Sequence, residues 1–137
     1  MRIAICSRLS FAKEMIETKK KLEAMGHTPL VSNFTEDFIG VSDEQKQAMN
    51  QQSFREKDVI REFYKKIQTC DAILVLNYAK KGIENYIGGN TLMEIGFAHV
   101  HYKKIFLMNP IPEIPLYKAE IEGVDPTIIH GDLSQIT

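Results

Sequence analysis

Two short segments carry most of the chemistry this sequence could support. The first is Asn85-Tyr86-Ile87-Gly88-Gly89-Asn90-Thr91-Leu92-Met93-Glu94, a glycine-bearing turn that runs into a helix-like segment with Glu94 in its expected first turn. Adjacent glycines let backbone approach a ligand closely, and Asn90 adds a short polar arm. A carboxylate facing a cleft beside them is a candidate nucleophile. The second is Ser7-Arg8-Leu9-Ser10, which joins hydroxyls and a guanidinium to the free amides of a helix start. That set suits a phosphate or carboxylate. Each segment also has a plain structural reading: Thr91 and Glu94 have capping-box spacing, and Ser10 can cap the helix after it.

The two segments cooperate only if the fold brings them together. Residues 3–6 form a short apolar run, residues 11–25 a helix-like segment closed by Gly26, and residues 27–31 a second strand in which Pro29 favours a strand start or an edge. Ser42 with Gln45 and Ser53 with Glu56 have capping-box spacing, which predicts helices over 43–51 and 54–69. The second places Val59, Ile60, Phe63, Tyr64 and Ile67 on one face and should pack on a sheet. The first has few apolar residues and reads as a cover. Residues 71–76 are apolar on both faces, as a central parallel strand requires. A helix from Asn90 or Thr91 to Tyr102, a strand at 104–108, a short helix at 113–122 and a strand at 127–129 complete the order βαβααβαβαβ.

That alternation implies right-handed crossovers and a doubly wound five-stranded parallel α/β sheet, of order 2-1-3-4-5, with helices on both faces. The ligand crevice of such a sheet lies beyond the carboxyl ends of the strands, where strand order reverses, here between strands 1 and 3. Ser7, Arg8 and Ser10 follow strand 1, Asn77 and Tyr78 follow strand 3, and Asn109 follows strand 4. Gly88, Gly89, Asn90 and Glu94 lead into the next helix. Asp71 precedes strand 3, at the opposite rim.

Composition narrows the classes of function. A chain of 137 residues with 44% hydrophobic content fits one domain spanning residues 1–137. A net charge of −1 provides no excess to drive binding to polymeric nucleic acid or an anionic membrane. Cys6 and Cys70 lack metal-type spacing and are too few for a disulfide scaffold, which points to a reducing cytoplasmic setting. No apolar run approaches the ~20 residues needed to cross a bilayer. His99 and His101 do not share a helix face, and His27 and His130 sit in turns, so neither a metal site nor a Ser-His-Asp triad assembles. Met15, Met25, Met93 and Met108 read as core filler. No cofactor is implied.

The strand Asp71-Ala72-Ile73-Leu74-Val75-Leu76 followed by Asn90-Thr91-Leu92-Met93-Glu94-Ile95-Gly96-Phe97-Ala98 resembles the nucleoside 2-deoxyribosyltransferase superfamily, which includes deoxynucleoside 5′-monophosphate N-glycosidases. The likeness runs from Ile3 to about Asn109. It implies a flavodoxin-like fold, a small-molecule nucleoside or nucleotide substrate, and a homodimer or larger assembly. It also implies that Glu94 attacks C1′ of the sugar while Ser7, Arg8 and Ser10 hold a 5′-phosphate. Asn77, Asn90 and Asn109 would then meet the sugar, with Tyr78 or Phe34 on the base. Many transferases of the family carry an aspartate six residues before the glutamate, where this chain has Gly88. The run Gly88-Gly89-Asn90-Thr91-x-x-Glu94 also resembles the turn of lysine-decarboxylase-like phosphoribohydrolases. Cleavage or transfer at an N-glycosidic bond is the leading expectation. A nucleotide-binding or sensing module without turnover and an interaction domain without a ligand are the alternatives.

Overall fold

A computed structural model describes Met1–Thr137. At its centre β1 (Arg2–Cys6), β2 (Thr28–Leu30), β3 (Ala72–Val75), β4 (Lys104–Leu107) and β5 (Thr127–Ile128) form one sheet in the order β2-β1-β3-β4-β5. Every neighbouring pair is parallel, and the register sets Cys6 beside Val75 and Val75 beside Leu107. The expected strand order therefore holds. Pro29 lies in the edge strand β2, where a missing backbone donor costs least.

Alternation along β1 divides the core between the two faces of the sheet. Ile3 and Ile5 pack with Met15 and Leu22 of α1 (Ala12–Ala24) and with Ile129 and Ile136 near the carboxyl terminus. Ala4 and Cys6 face the other way. They pack with Phe63 and Ile67 of α3 (Val59–Gln68), Ile95 and Ala98 of α4 (Gly89–Val100) and Ile121 of α5 (Lys118–Gly123). The β3 side chains are buried on both faces. By contrast α2 (Asp43–Glu56) buries only Ser53, in keeping with a helix that covers rather than supports. No helix is long and apolar enough to cross a membrane.

Local chemistry moves several expected boundaries. The Ser42–Gln45 capping box forms and starts α2, but the Ser53–Glu56 box does not. Ser53 is buried within α2, and α3 instead begins at Asp58, whose left-handed backbone (φ 45°) makes the break and whose carboxylate accepts the Arg61 amide. Helix α5 starts at Lys118 rather than near residue 113 because Pro115 disfavours helical backbone at Ile114. Helix α4 begins earlier than expected, with Gly88 as its N-cap and no side-chain cap, so Thr91 and Glu94 form no capping box. Met15 and Met108 lie in the core, whereas Met25 and Met93 are exposed, which corrects their reading as filler.

Candidate active site

The turns after β1 and β3 meet above the carboxyl ends of the sheet, under α2. Cys6 is the last residue of β1, so Ser7, Arg8 and Ser10 emerge over the rim. The hydroxyl of Ser7 donates to the carbonyl of Leu76 at 2.8 Å, which ties the β1 turn to the end of β3. Ser7 itself is buried.

Two adjoining cavities open here, sharing Ser7, Leu9, Asn50, Phe54 and Asn90. The first is narrow, about 40 Å³, with walls that include Ile5, Met15, Phe34, Phe54, Val59 and Phe63. Glu94 is its one acidic lining residue. The second is wide, about 560 Å³, and polar. It contains Arg8, Ser10, Gly88, Gly89, Asn90 and Thr91, together with Lys46, Lys80 and Lys81.

Glu94 is the sixth residue of α4, counted from Gly89, and is only 6% exposed. It lies beyond the first turn, where helix amides would favour its charge. Desolvation therefore dominates, and its carboxyl is pushed up to about 8, against a smaller lowering by a hydrogen bond with Cys6. Near neutral pH the buried carboxyl therefore favours its protonated form. Cys6 is itself pushed well up by burial and then by Glu94, so it is a neutral thiol rather than a nucleophile.

The anion side has a different character. Arg8 lies over the ring of Tyr86, 5.0 Å from its centroid, and its Nε is buried without a hydrogen-bond partner. Ser10 Oγ is likewise buried and unpartnered, so it does not cap α1. Unsatisfied buried polar atoms are uncommon in folded proteins, and here two belong to residues that line one cavity. Gly88 faces Arg8: a Cβ at that position would lie 3.6 Å from Nη1. The hydroxyl of Tyr117 donates to the carbonyl of Ile87 and holds this turn from the α5 side.

Three expected site residues lie elsewhere. Asn77 is fully buried, and its amide donates to the carbonyls of Asn109 and Pro110. Asn109 returns bonds from its own amide groups, and neither asparagine lines either cavity. They join the ends of β3 and β4, which corrects the expectation that they meet a sugar. Tyr78 packs edge-on against Phe11, with ring centroids 5.5 Å apart, and raises its hydroxyl pKa by burial and by Glu14 and Glu17 of α1. It belongs to the α1 face of the sheet, and Phe34 is the aromatic that reaches the narrow cavity.

The structure also adds residues that the sequence reading missed. Phe54, Asn50 and Lys46 of α2 line the crevice because α2 crosses it, a tertiary placement without a local signal. Lys80 and Lys81 had one: Lys81-Gly82 is an X-Gly pair of the kind that makes tight turns.

No protein-family model matches the sequence, and no curated protein matches it. Solved structures do. The 2-deoxyribosyltransferase of Bacillus psychrosaccharolyticus superposes with a TM-score of 0.52 and 15% identity, over 78% of this chain and 71% of its own. The chain shares that enzyme's fold. The CMP N-glycosidase BcmB of Clostridium botulinum superposes with a TM-score of 0.51 and 21% identity, over 93% of this chain and 84% of its own. At such identities the likeness establishes the flavodoxin-like architecture, and any activity has to be argued from the crevice.

Proposed function

We propose that the protein cleaves, or transfers at, the N-glycosidic bond of a (deoxy)nucleoside or nucleoside 5′-monophosphate, with Glu94 as the nucleophile. The observation that carries this reading is the adjacency of two unlike cavities, a narrow apolar one holding Glu94 and a wide cationic one holding Arg8 and Ser10. A nucleotide has the same division between its sugar and base and its phosphate. The two solved structures of this fold, a deoxyribosyltransferase and a CMP N-glycosidase, act at such bonds and support the assignment.

Ser10, Arg8 and the backbone at Gly88, Gly89 and Asn90 hold the phosphate, with Ser7 at the junction of the cavities. Asn90 meets the sugar and Phe34 the base. Glu94 first gives its proton to solvent water, and positive charge developing at C1′ favours the resulting carboxylate, which stabilises that charge or bonds to it. As the carboxylate oxygen bonds to C1′, the C1′–N bond breaks and its electron pair leaves with the base. The base takes a proton from water at the cavity mouth, since Glu94 is the sole acid lining the narrow cavity. Water or a second base then attacks C1′ and frees the carboxylate. The narrow cavity has room for a few waters rather than a sugar and base, so Phe34 and Phe54 must part for substrate to enter.

Incubation with nucleosides and nucleoside monophosphates, followed by chromatography for free base, tests this reading. Release by the wild type that Glu94→Gln lowers by ~10³-fold or more supports it. Inertness toward every common base, or equal release by both proteins, overturns it. The alternative of binding without turnover draws on the neutral state of Glu94 and on Gly88 in place of an acid. It predicts tight nucleotide binding with the glycosidic bond intact after hours.

A further inference from the structure

The cationic cavity is wider than one phosphoryl group needs, and its charge extends past Arg8. Lys46 of α2 and Lys80 and Lys81 of the loop after β3 line it as well, against a single carboxylate, Asp43. A monophosphate brings ~2 negative charges, which leaves cationic charge in this cavity unmatched.

The loop that presents two of these lysines is a built turn. The amides of Lys80 and Ile83 each donate to the other's carbonyl at 3.0 Å. Between them Lys81 and Gly82 both have positive φ, 55° and 73°. This is the I′ hairpin pattern. A lysine in left-handed backbone is uncommon and costs energy, so the turn fixes both lysines at the cavity at some expense to the fold.

The existing partners of these cations are exchangeable. Lys80 lies 3.6 Å from Asp43, which is itself 80% exposed, so their attraction is screened by water. Lys46 donates to the carbonyl of Ser10 at 3.1 Å, a neutral acceptor next to the phosphate position. Lys81 is exposed. A phosphoryl oxygen offers each of them a stronger, charge-assisted bond.

We propose that Lys46, Lys80 and Lys81 form a second anion subsite beside Arg8 and Ser10 that takes the β-phosphoryl group of a nucleoside 5′-diphosphate. The nucleoside half of this statement rests on the function proposed above, whereas the diphosphate half rests on the lysines alone. Calorimetry with inorganic phosphate and pyrophosphate therefore tests it without knowledge of the base. The variant is Lys80→Gln with Lys81→Asn, because Asn-Gly is a preferred I′ pair and keeps the turn while removing its charge. The wild type should bind pyrophosphate at least ~tenfold tighter than phosphate, and in the variant that ratio should fall toward one. Equal affinities in the wild type, or an unchanged ratio in the variant, overturn the subsite. Base release from monophosphates without a pyrophosphate preference overturns this inference alone. A lysine-dependent pyrophosphate preference with no base release from mono- or diphosphates overturns the catalytic reading alone.

Discussion

Asn77 and Asn109 clasp each other across the ends of β3 and β4. The Asn77 amide donates to the Asn109 carbonyl at 2.9 Å, the Asn109 backbone amide donates to Asn77 Oδ1 at 2.9 Å, and the Asn109 side chain donates to the Asn77 carbonyl at 3.1 Å. Asn77 is fully buried, so losing its side chain leaves buried backbone groups unpaired. Asn77→Ala should cost about 2–4 kcal/mol in urea unfolding. Substrate affinity per folded molecule should stay near that of the wild type. Normal stability with weakened substrate binding would return Asn77 to the binding site.

Glu94 should make stability depend on pH. Its folded pKa of about 8 lies above the ordinary 4.5, so between those values the folded state keeps a proton that the unfolded chain has lost. Its contribution is present in full below the ordinary value and is lost as pH rises through the folded one. Glu94→Gln mimics the neutral carboxyl at every pH. Relative to the wild type, the variant should gain a few kcal/mol, roughly, on going from about pH 5 to about pH 9. Parallel unfolding midpoints across that range would show that the carboxyl ionises without cost.

The same group sets the direction of the pH–rate profile. If the carboxylate is the reacting form, kcat/KM should rise about tenfold per pH unit below the Glu94 pKa and level off above it, near pH 8. A rate that falls across this range would instead make the protonated carboxyl the active form and remove the nucleophile assignment.

Gly88 and Arg8 offer a separate test of the anion site. The Gly88 backbone (φ −84°, ψ 173°) suits any residue, and a Cβ there makes only ordinary contacts, 3.5 Å to Tyr86 and 3.6 Å to Arg8. Aspartate at this N-cap should leave the melting temperature unchanged or raise it, as aspartate is a favoured cap. Its carboxylate would pair with Arg8 and repel a phosphate. Gly88→Asp should therefore weaken nucleoside monophosphate binding ~tenfold or more and free nucleoside binding far less. Equal affinities for monophosphate in wild type and variant would place the phosphate elsewhere.

The parts of this molecule legible in sequence are those governed by local periodicity and topology. Residues 71–76 read as a central strand because burial on both faces removes any polar alternation, and β3 is buried on both faces. The rule placing ligands at the reversal point of the strand order brings the Ser7–Ser10 turn and the Gly88–Glu94 turn together from sequence alone. Local patterns misled where a tertiary contact outweighed them. Ser53 has the spacing of a cap yet is buried inside α2, and Thr91 has the same spacing yet follows an N-cap at Gly88. Asn77 and Asn109 lie in the right turns, but their partners are each other.

By itself the sequence determined the doubly wound sheet and the rim of it at which the turns that carry Arg8 and Glu94 meet. Those follow from residue order and from the handedness of parallel crossovers. Only the tertiary structure decided the state of those two side chains. Helix α4 begins at Gly89 and α2 closes over the crevice, so Glu94 loses both the helix-end amides and the water that would keep it ionised. Arg8 and Ser10 are left with polar atoms that nothing in the chain satisfies. Burial and partner count arise from elements distant in sequence, and no local pattern encodes them.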